Sequence, residues 1–215
     1  MAHELNNPLA TIINWSERLQ TMPLDHSSHH GLEVILGEAQ RAARLVRNLL
    51  SFAENRPTTR ALADVNRIVR DTLALRAQEQ RRQQISVTAL LADELPPVFV
   101  DGQQIQQVLL NLTINAEQAM TAAHGRGSLV VRTRHTAERR VVVVEIVDDG
   151  PGIPVAVRSR IFDPFFTTKA SGTGTGLGLT IARSILTDHG GHIRVESAAT
   201  GTSFVIDLPV SADPS

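Results

Sequence analysis

His3 and Glu4 begin the string His3-Glu4-Leu5-Asn6-Asn7-Pro8-Leu9. An imidazole has an ordinary pKa of about 6.5, so at pH 7 it is largely neutral and offers a ring nitrogen that can attack phosphorus. A carboxylate beside it can hold the proton of the other ring nitrogen and steady the growing positive charge. Neighbours on a helix do not face each other, so Glu4 has to curl round to reach His3. Asn7, four residues on, shares the His3 face and can position a water or a phosphoryl oxygen. Taken alone, a His-Glu pair is an ordinary surface feature.

Three further segments carry groups suited to a nucleotide. Asn111 and Asn115 lie four apart, on the helix face away from Leu112 and Ala116. Amides there can bind phosphates or give Mg²⁺ an oxygen. Asp148-Asp149-Gly150-Pro151-Gly152-Ile153 follows an apolar strand pattern. A carboxylate at a strand end can accept a hydrogen bond from the exocyclic amine of adenine, and the glycines let backbone approach the base. Gly172, Gly174, Gly176 and Gly178 alternate ahead of a helix expected from Leu177. Backbone N–H groups at such a point make an anion site. No Gly-Lys-Ser/Thr ending is present, and Leu179 stands three residues after Gly176, so neither the P-loop nor the dinucleotide fingerprint fits. Lys169 is the single lysine of the chain. It is either a by-product of arginine-rich codon usage or a compact ammonium placed where one is needed.

These groups need elements to hold them. Residues 1–55 read as a helical hairpin. Leu5, Leu9, Ile12, Ser16 and Leu19 step by four and three along the first helix, a heptad seam with one polar member. Two residues before Leu5, at about 100° per residue, His3 turns some 200° away from the seam, toward solvent. Pro8 removes one backbone hydrogen bond and is expected to kink or loosen the helix near His3. Thr21 to Gly31 reads as the turn, with His26, His29 and His30 as a solvated loop cluster. Leu32, Ile35, Ala39, Ala42, Val46, Leu49 and Ala53 make one stripe of the second helix. Two helices of roughly 20 residues, each about 30 Å long, bury such a seam poorly alone. A four-helix bundle between two copies is the economical solution.

Residues 56–60 read as a linker, 61–210 as a mixed α/β domain and 211–215 as a frayed tail. Within the second domain the pattern predicts helices over 65–80, 102–123 and 177–188. Strands are expected over 85–90 and 97–100, and as antiparallel pairs over 129–135 with 141–147 and 192–196 with 203–208. The stretch 151–175 is long, glycine-rich and without period, which in a compact domain marks a functional loop.

Composition sets limits. Hydrophobic residues are 42% of the 215, enough for a core. The net charge of -1 gives no reason to expect nucleic acid or an acidic membrane as partner. The absence of cysteine excludes disulfides and thiolate metal sites. No apolar run is long enough to span a bilayer. Nothing reads as a signal peptide, and the chain runs from Met1 straight into a helix, as a piece of a longer protein would. A cytoplasmic location is expected for this piece, with membrane attachment only through other regions.

The motifs, in their order, resemble those of the HisKA-type histidine kinases across nearly the whole chain. His3 to Leu9 is similar to their H box. Asn111-Leu112-Thr113-Ile114-Asn115-Ala116 resembles the N box, and Asp148 to Gly152 the first G box. Phe162-Asp163-Pro164-Phe165-Phe166 resembles the F box, Gly174 to Leu179 the second G box, and Gly201-Thr202-Ser203-Phe204 the last glycine motif. The resemblance implies an α+β fold class: a phosphotransfer hairpin that dimerises, then an ATP-binding two-layer sandwich of the GHKL type. It implies that His3 accepts phosphate, with Glu4 and Asn7 assisting, and that Asn115 is a Mg²⁺ ligand. Adenine would go to Asp148. Further ATP contacts would come from Asn111, Gly150, Gly152, Ile153, Phe165, Lys169, Gly174, Gly176, Leu177, Gly178 and Thr202.

Related gyrase, mismatch-repair and chaperone ATPases carry a water-activating glutamate at the place of Asn111. An amide is a far poorer base, which favours transfer to His3 over hydrolysis. The expected activity is ATP-dependent phosphorylation of His3, then transfer to an aspartate of a response regulator docked on the hairpin. Phosphatase action on that partner, with Asn7 holding the water, is a further expectation. The rivals are an ATP-hydrolysing GHKL machine and a dimer scaffold that binds no nucleotide. Two features depart from the family: Gln118 stands where many members carry lysine, and the first helix is short before the histidine, a hairpin truncated at its N-terminus.

Overall fold

The computed structural model describes residues 2–53, 59–169, 174–197 and 200–211, and for 2–6, 40–41 and 44–53 the course of the backbone alone. The chain divides into two compact units. One holds Met1–Pro57 with Thr167–Leu177, the other Thr58–Phe166 with Gly178–Ser215.

In the first unit, α1 (Ala2–Gln20) and α2 (His26–Ala53) form the hairpin. Helix α1 runs through Pro8 without a break. The turn is shorter than the sequence suggests, because Asp25 caps α2. Its Oδ1 accepts the backbone N–H groups of Ser27 and Ser28, each at 3.0 Å, and its Oδ2 accepts the Ser28 hydroxyl at 2.6 Å. These bonds, the Ser28 hydroxyl foremost, hold the Asp25 carboxyl below its usual range. The three histidines expected in a loop are therefore helical, and His30 Nδ1 lies 3.7 Å from Glu33 Oε2. Gly31, read as a turn residue, is tolerated inside the helix because one cap outweighs its cost of about 1 kcal/mol.

The buried residues between the helices are small: Ser16, Ala39 and Ala43. Leu9, Ile13, Leu19, Leu32 and Leu36 are half-buried around them. Ile12 and Ile35 belong to the expected seams yet remain 42% and 51% exposed. Leu5, Val46, Leu49 and Ala53 lie outside the residues whose side chains are described.

The second unit is a sheet covered on one face by helices. In chain order it contains β1 (Ala61–Ala63), α3 (Val65–Arg82), β2 (Ile85–Leu90), β3 (Val98–Val100), α4 (Gly102–His124), β4 (Gly127–Thr136), β5 (Val141–Asp148), α5 (Gly178–Asp188), β6 (His192–Ser197) and β7 (Thr202–Pro209). The five-stranded sheet runs β2-β4-β5-β7-β6, and β1 with β3 forms a separate ribbon. Strand β2 lies parallel to β4; the other neighbours are antiparallel. The period of two is visible in the core: Leu129, Val131, Val142, Val144, Ile146, Phe204, Ile206 and Leu208 alternate onto one face. Against them pack Ile105, Val108, Leu109, Leu112, Ala116 and Met120 of α4, Val65 and Val69 of α3, and Ala182 and Leu186 of α5. Strand β1 was not expected, since Ala61-Leu62-Ala63 is too short to show a period. Aspartates start both long helices: Asp64 Oδ1 accepts Arg67 N–H at 3.2 Å, and Asp101 Oδ1 accepts Gln103 N–H at 3.0 Å.

Candidate nucleotide-binding site

Helix α4 carries its apolar stripe inward, so the next face presents Asn111 and Asn115 beside the first residue of α5. The Asn111 Nδ2 donates to the carbonyl of Gly178 at 3.1 Å. A Cβ on Gly178 would sit 4.0 Å from the Asn115 Nδ2. The two amides expected on one helix face thus meet the glycine expected at a helix start. That helix begins at Gly178, one residue later than its pattern suggests.

Asp148 ends β5 and is buried, its backbone paired across the ladder with Thr202, also buried. Its Oδ1 accepts the Gly150 N–H at 2.9 Å. Burial pushes its carboxyl pKa up, against the pull of the Gly150 and Thr202 N–H groups. A Cβ on Gly150 would lie 2.8 Å from the Asp148 Oδ1 and 3.4 Å from the Ala119 Cβ, so only glycine leaves this carboxylate undisturbed. Gly152 takes φ +73°, which favours glycine. The turn is tied down at both ends. Gly201 N–H donates to Gly150 O at 2.7 Å. Ser197 Oγ accepts Ile153 N–H at 2.7 Å and donates to Gly201 O at 3.1 Å. Ser197 has no mark in the sequence; it is brought to Ile153 by the β6–β7 pairing alone.

Of the F-box residues, Phe162 and Phe166 pack on the core, whereas Phe165 is 62% exposed with φ +64°. A bulky side chain in the left-handed region is uncommon and strained. Arg160 lies over the Phe166 ring at 4.6 Å.

Lys169, Gly174, Gly176 and Leu177 belong to the first unit. The Lys169 side chain is half-buried, and burial lowers its ammonium pKa. Its backbone N–H donates to Thr167 Oγ1 at 3.2 Å. A Cβ on Gly174 would meet that hydroxyl at 2.6 Å, and Gly176 has φ +66°. Leu177 is buried, and its N–H donates to Thr175 Oγ1 at 3.3 Å. Gly172 lies outside the described residues.

Asn7 is exposed on α1, and its carbonyl accepts the Thr11 hydroxyl at 3.0 Å. The side chains of His3 and Glu4 lie outside the described residues. Missing from the sequence expectation is Glu117, buried on α4. It accepts Arg76 Nη2 at 2.6 Å and Gln80 Nε2 at 2.8 Å, tying α4 to α3. Only its place on the apolar face of α4 could have pointed to such a partner.

Comparison with known proteins gives two family matches. Residues 100–212 match the model of the histidine kinase-, DNA gyrase B- and HSP90-like ATPases, and residues 1–57 that of the His kinase A phospho-acceptor domain. Over 98% of its length the chain is 35% identical to the signal transduction histidine-protein kinase AtoS of Escherichia coli (strain K12), spanning 34% of that protein. It is 34% identical to the sensory histidine kinase/phosphatase NtrB of Rhodobacter capsulatus, spanning 61% of it. The chain thus spans less than two thirds of either relative. Among solved structures, the nucleotide-free catalytic domain of the histidine kinase ThkA superposes with a TM-score of 0.63 at 33% identity, over 70% of this chain and 95% of that one. ThkA in complex with the response regulator protein TrrA superposes over 100% of this chain and 61% of that one, with a TM-score of 0.72 at 28% identity.

Proposed function

Because the chain belongs to the HisKA-type histidine kinases, we propose that it is the catalytic core of a two-component sensor kinase, phosphorylating His3 from ATP and passing the phosphoryl group to a response-regulator aspartate. Residues 1–55 serve as the phosphotransfer hairpin and 61–210 as the ATP-binding domain. The observation that carries the nucleotide half is the buried Asp148, held by the Gly150 N–H at 2.9 Å at the end of a strand. It leaves carboxylate acceptor capacity for an adenine amine, and the lack of a side chain on Gly150 leaves that carboxylate its place.

Asn115 and Asn111 stand next to Gly178 at the start of α5, where N–H groups of a helix end attract phosphate. Among the described residues no three His, Asp or Glu gather to hold a metal. That suits Mg²⁺, which keeps most of its ligands from phosphate and water and would take one oxygen from Asn115. When bound, the metal neutralises charge on the phosphates. The family resemblance assigns further phosphate contacts to Lys169, Gly174, Gly176 and Leu177.

The chemistry asked of the chain is positioning. A ring nitrogen of His3 forms a bond to the γ-phosphorus as the bond to the β–γ bridging oxygen breaks, and ADP leaves. Glu4 steadies the imidazolium. The response-regulator carboxylate then displaces the histidine nitrogen. Asn111 supports transfer over hydrolysis: its amide is a donor to Gly178 and offers no base for water. Asn7, exposed on the His3 face, is suited to hold a water for dephosphorylating the partner. Ile12 and Ile35, left open by the single hairpin, are suited to a second copy in a four-helix bundle.

Radiolabelled ATP tests the proposal. The chain takes up acid-labile label, and His3→Gln abolishes it. Label that persists in His3→Gln would overturn the assignment. Mixing a His3→Gln chain with an Asn115→Ala chain restores labelling only if transfer runs between copies.

A further inference from the structure

Helices α4 and α5 are joined at two places that lie at opposite ends of α5. One is the bond from Asn111 to Gly178, at the start of α5. The other is His189, just past its end. The His189 ring is buried, and both of its nitrogens are bonded to backbone: Nδ1 lies 2.8 Å from the Ile185 carbonyl, and Nε2 lies 3.0 Å from the Asp101 N. A carbonyl only accepts and an N–H only donates, so Nδ1 carries the proton and Nε2 accepts. Asp101 is the N-cap of α4.

Both partners of this bond are rigidly placed. His189 is fixed by a helix stop: Gly191 N–H donates to Leu186 O at 2.7 Å and Gly190 N–H to Thr187 O at 2.9 Å, with Gly190 at φ +69°. Gly191 cannot carry a side chain, since a Cβ would lie 2.6 Å from the Asp207 carbonyl. Asp101 is held by Gln103 N–H at 3.0 Å and Gln104 N–H at 3.2 Å on Oδ1, and by Thr59 N–H at 3.1 Å on Oδ2. Each end is anchored to its own helix terminus, so a bond between them ties the end of α5 to the start of α4.

We propose that His189 is a positioning residue for the nucleotide site: its bond to the Asp101 N–H locks the far end of α5 to the start of α4, and thereby holds Gly178 against Asn111 and Asn115. The assignment of ligand rests on the ATP-binding function proposed above; the mechanical coupling does not.

Two variants and two readouts test it in the whole chain. His189→Gln keeps one donor and one acceptor; His189→Phe keeps the ring shape and neither. The readouts are calorimetric titration with MgADP and the NMR signal of the Asn111 side-chain amide without nucleotide. We expect His189→Phe to weaken MgADP at least tenfold and to move the Asn111 signal, and His189→Gln to stay within threefold with the signal in place. A folded His189→Phe with wild-type affinity and an unmoved Asn111 signal overturns the proposal. So does equal loss of affinity in both variants with Asn111 unmoved, which is the mark of general destabilisation. His189→Leu replaces His189→Phe if the latter does not fold, and failure of both to fold assigns His189 to stability alone. A wild-type chain that does not bind MgADP, with an Asn111 signal that still moves in His189→Phe, retires the nucleotide assignment and leaves the coupling standing.

Discussion

Asp148 Oδ1 accepts the Gly150 N–H at 2.9 Å, so the carboxylate that ends β5 folds back over its own turn. The bond fixes its direction and leaves acceptor capacity for a donor arriving from outside.

Asp148→Asn separates binding from stability. Burial raises the Asp148 pKa above the value of the same carboxyl in the unfolded chain. The folded chain therefore holds this proton to a higher pH than the unfolded chain. The contribution of the group to stability is greatest below the unfolded pKa and falls as the pH rises through the folded one. An amide removes that slope and turns an NH₂ toward the adenine amine. Urea denaturation between about pH 4 and pH 7 is expected to show a flatter profile for Asp148→Asn than for wild type. Calorimetry is expected to show ADP affinity lowered more than tenfold.

Asn111→Asp replaces the donor to Gly178 with a second acceptor at 3.1 Å from a carbonyl. Leaving such a group unpaired costs about 1–3 kcal/mol. The chain is therefore expected to lose that much stability, and nucleotide affinity falls because Gly178 is no longer held at the start of α5. Asn111→Ser, which keeps an O–H donor on a shorter arm, loses less. Equal affinity in wild type and Asn111→Asp would show that the Gly178 bond plays no part in the site.

Gly150→Ala presses on the Asp148 carboxylate and Gly201→Ala on the Asp148 backbone. The first Cβ meets Asp148 Oδ1 at 2.8 Å, and the second meets the Asp148 carbonyl at 2.5 Å from a residue with φ +95°. Gly201→Ala is therefore expected to destabilise by about 1–3 kcal/mol. Gly150→Ala mainly lowers nucleotide affinity, because the Asp148 side chain can shift where backbone cannot. Thermal denaturation paired with ADP titration distinguishes them.

Glu117→Ala strands Arg76 and Gln80, whose partner is buried to 1% exposure. Arg76, a quarter exposed, can still reach water, so the loss of its partner is expected to cost about 1–3 kcal/mol. Replacing all three residues with apolar ones of similar volume is expected to recover most of that loss. Chemical denaturation of the single and triple variants checks both statements.

The elements with a strong period were legible. The five predicted strands of the main sheet and the helices α3, α4 and α5 fall where alternation and the 3.6-residue stripe place them, within a residue or two. Elements lacking a period were not: β1 is three residues long, and α2 starts six residues before its apolar stripe because the Asp25 cap sets its beginning. Type and spacing mark Asn111, Asn115, Asp148 and Gly150 as candidate site residues. They leave Ser197, Glu117 and His189 unmarked, because each bonds a partner at least 37 residues away.

Candidate residues for chemistry are readable along the chain, since amide, carboxylate and glycine at fixed offsets on a helix face or strand end follow from local geometry. The motifs in their order also mark the family, which the family matches bear out. What holds those groups in place comes from the fold: the Asp148 carboxylate bends onto Gly150, Asn111 donates to Gly178, and His189 accepts the Asp101 N–H past the end of α5. Hydrogen-bond partners brought together by sheet pairing and helix packing are distant in the chain, and no local period encodes them.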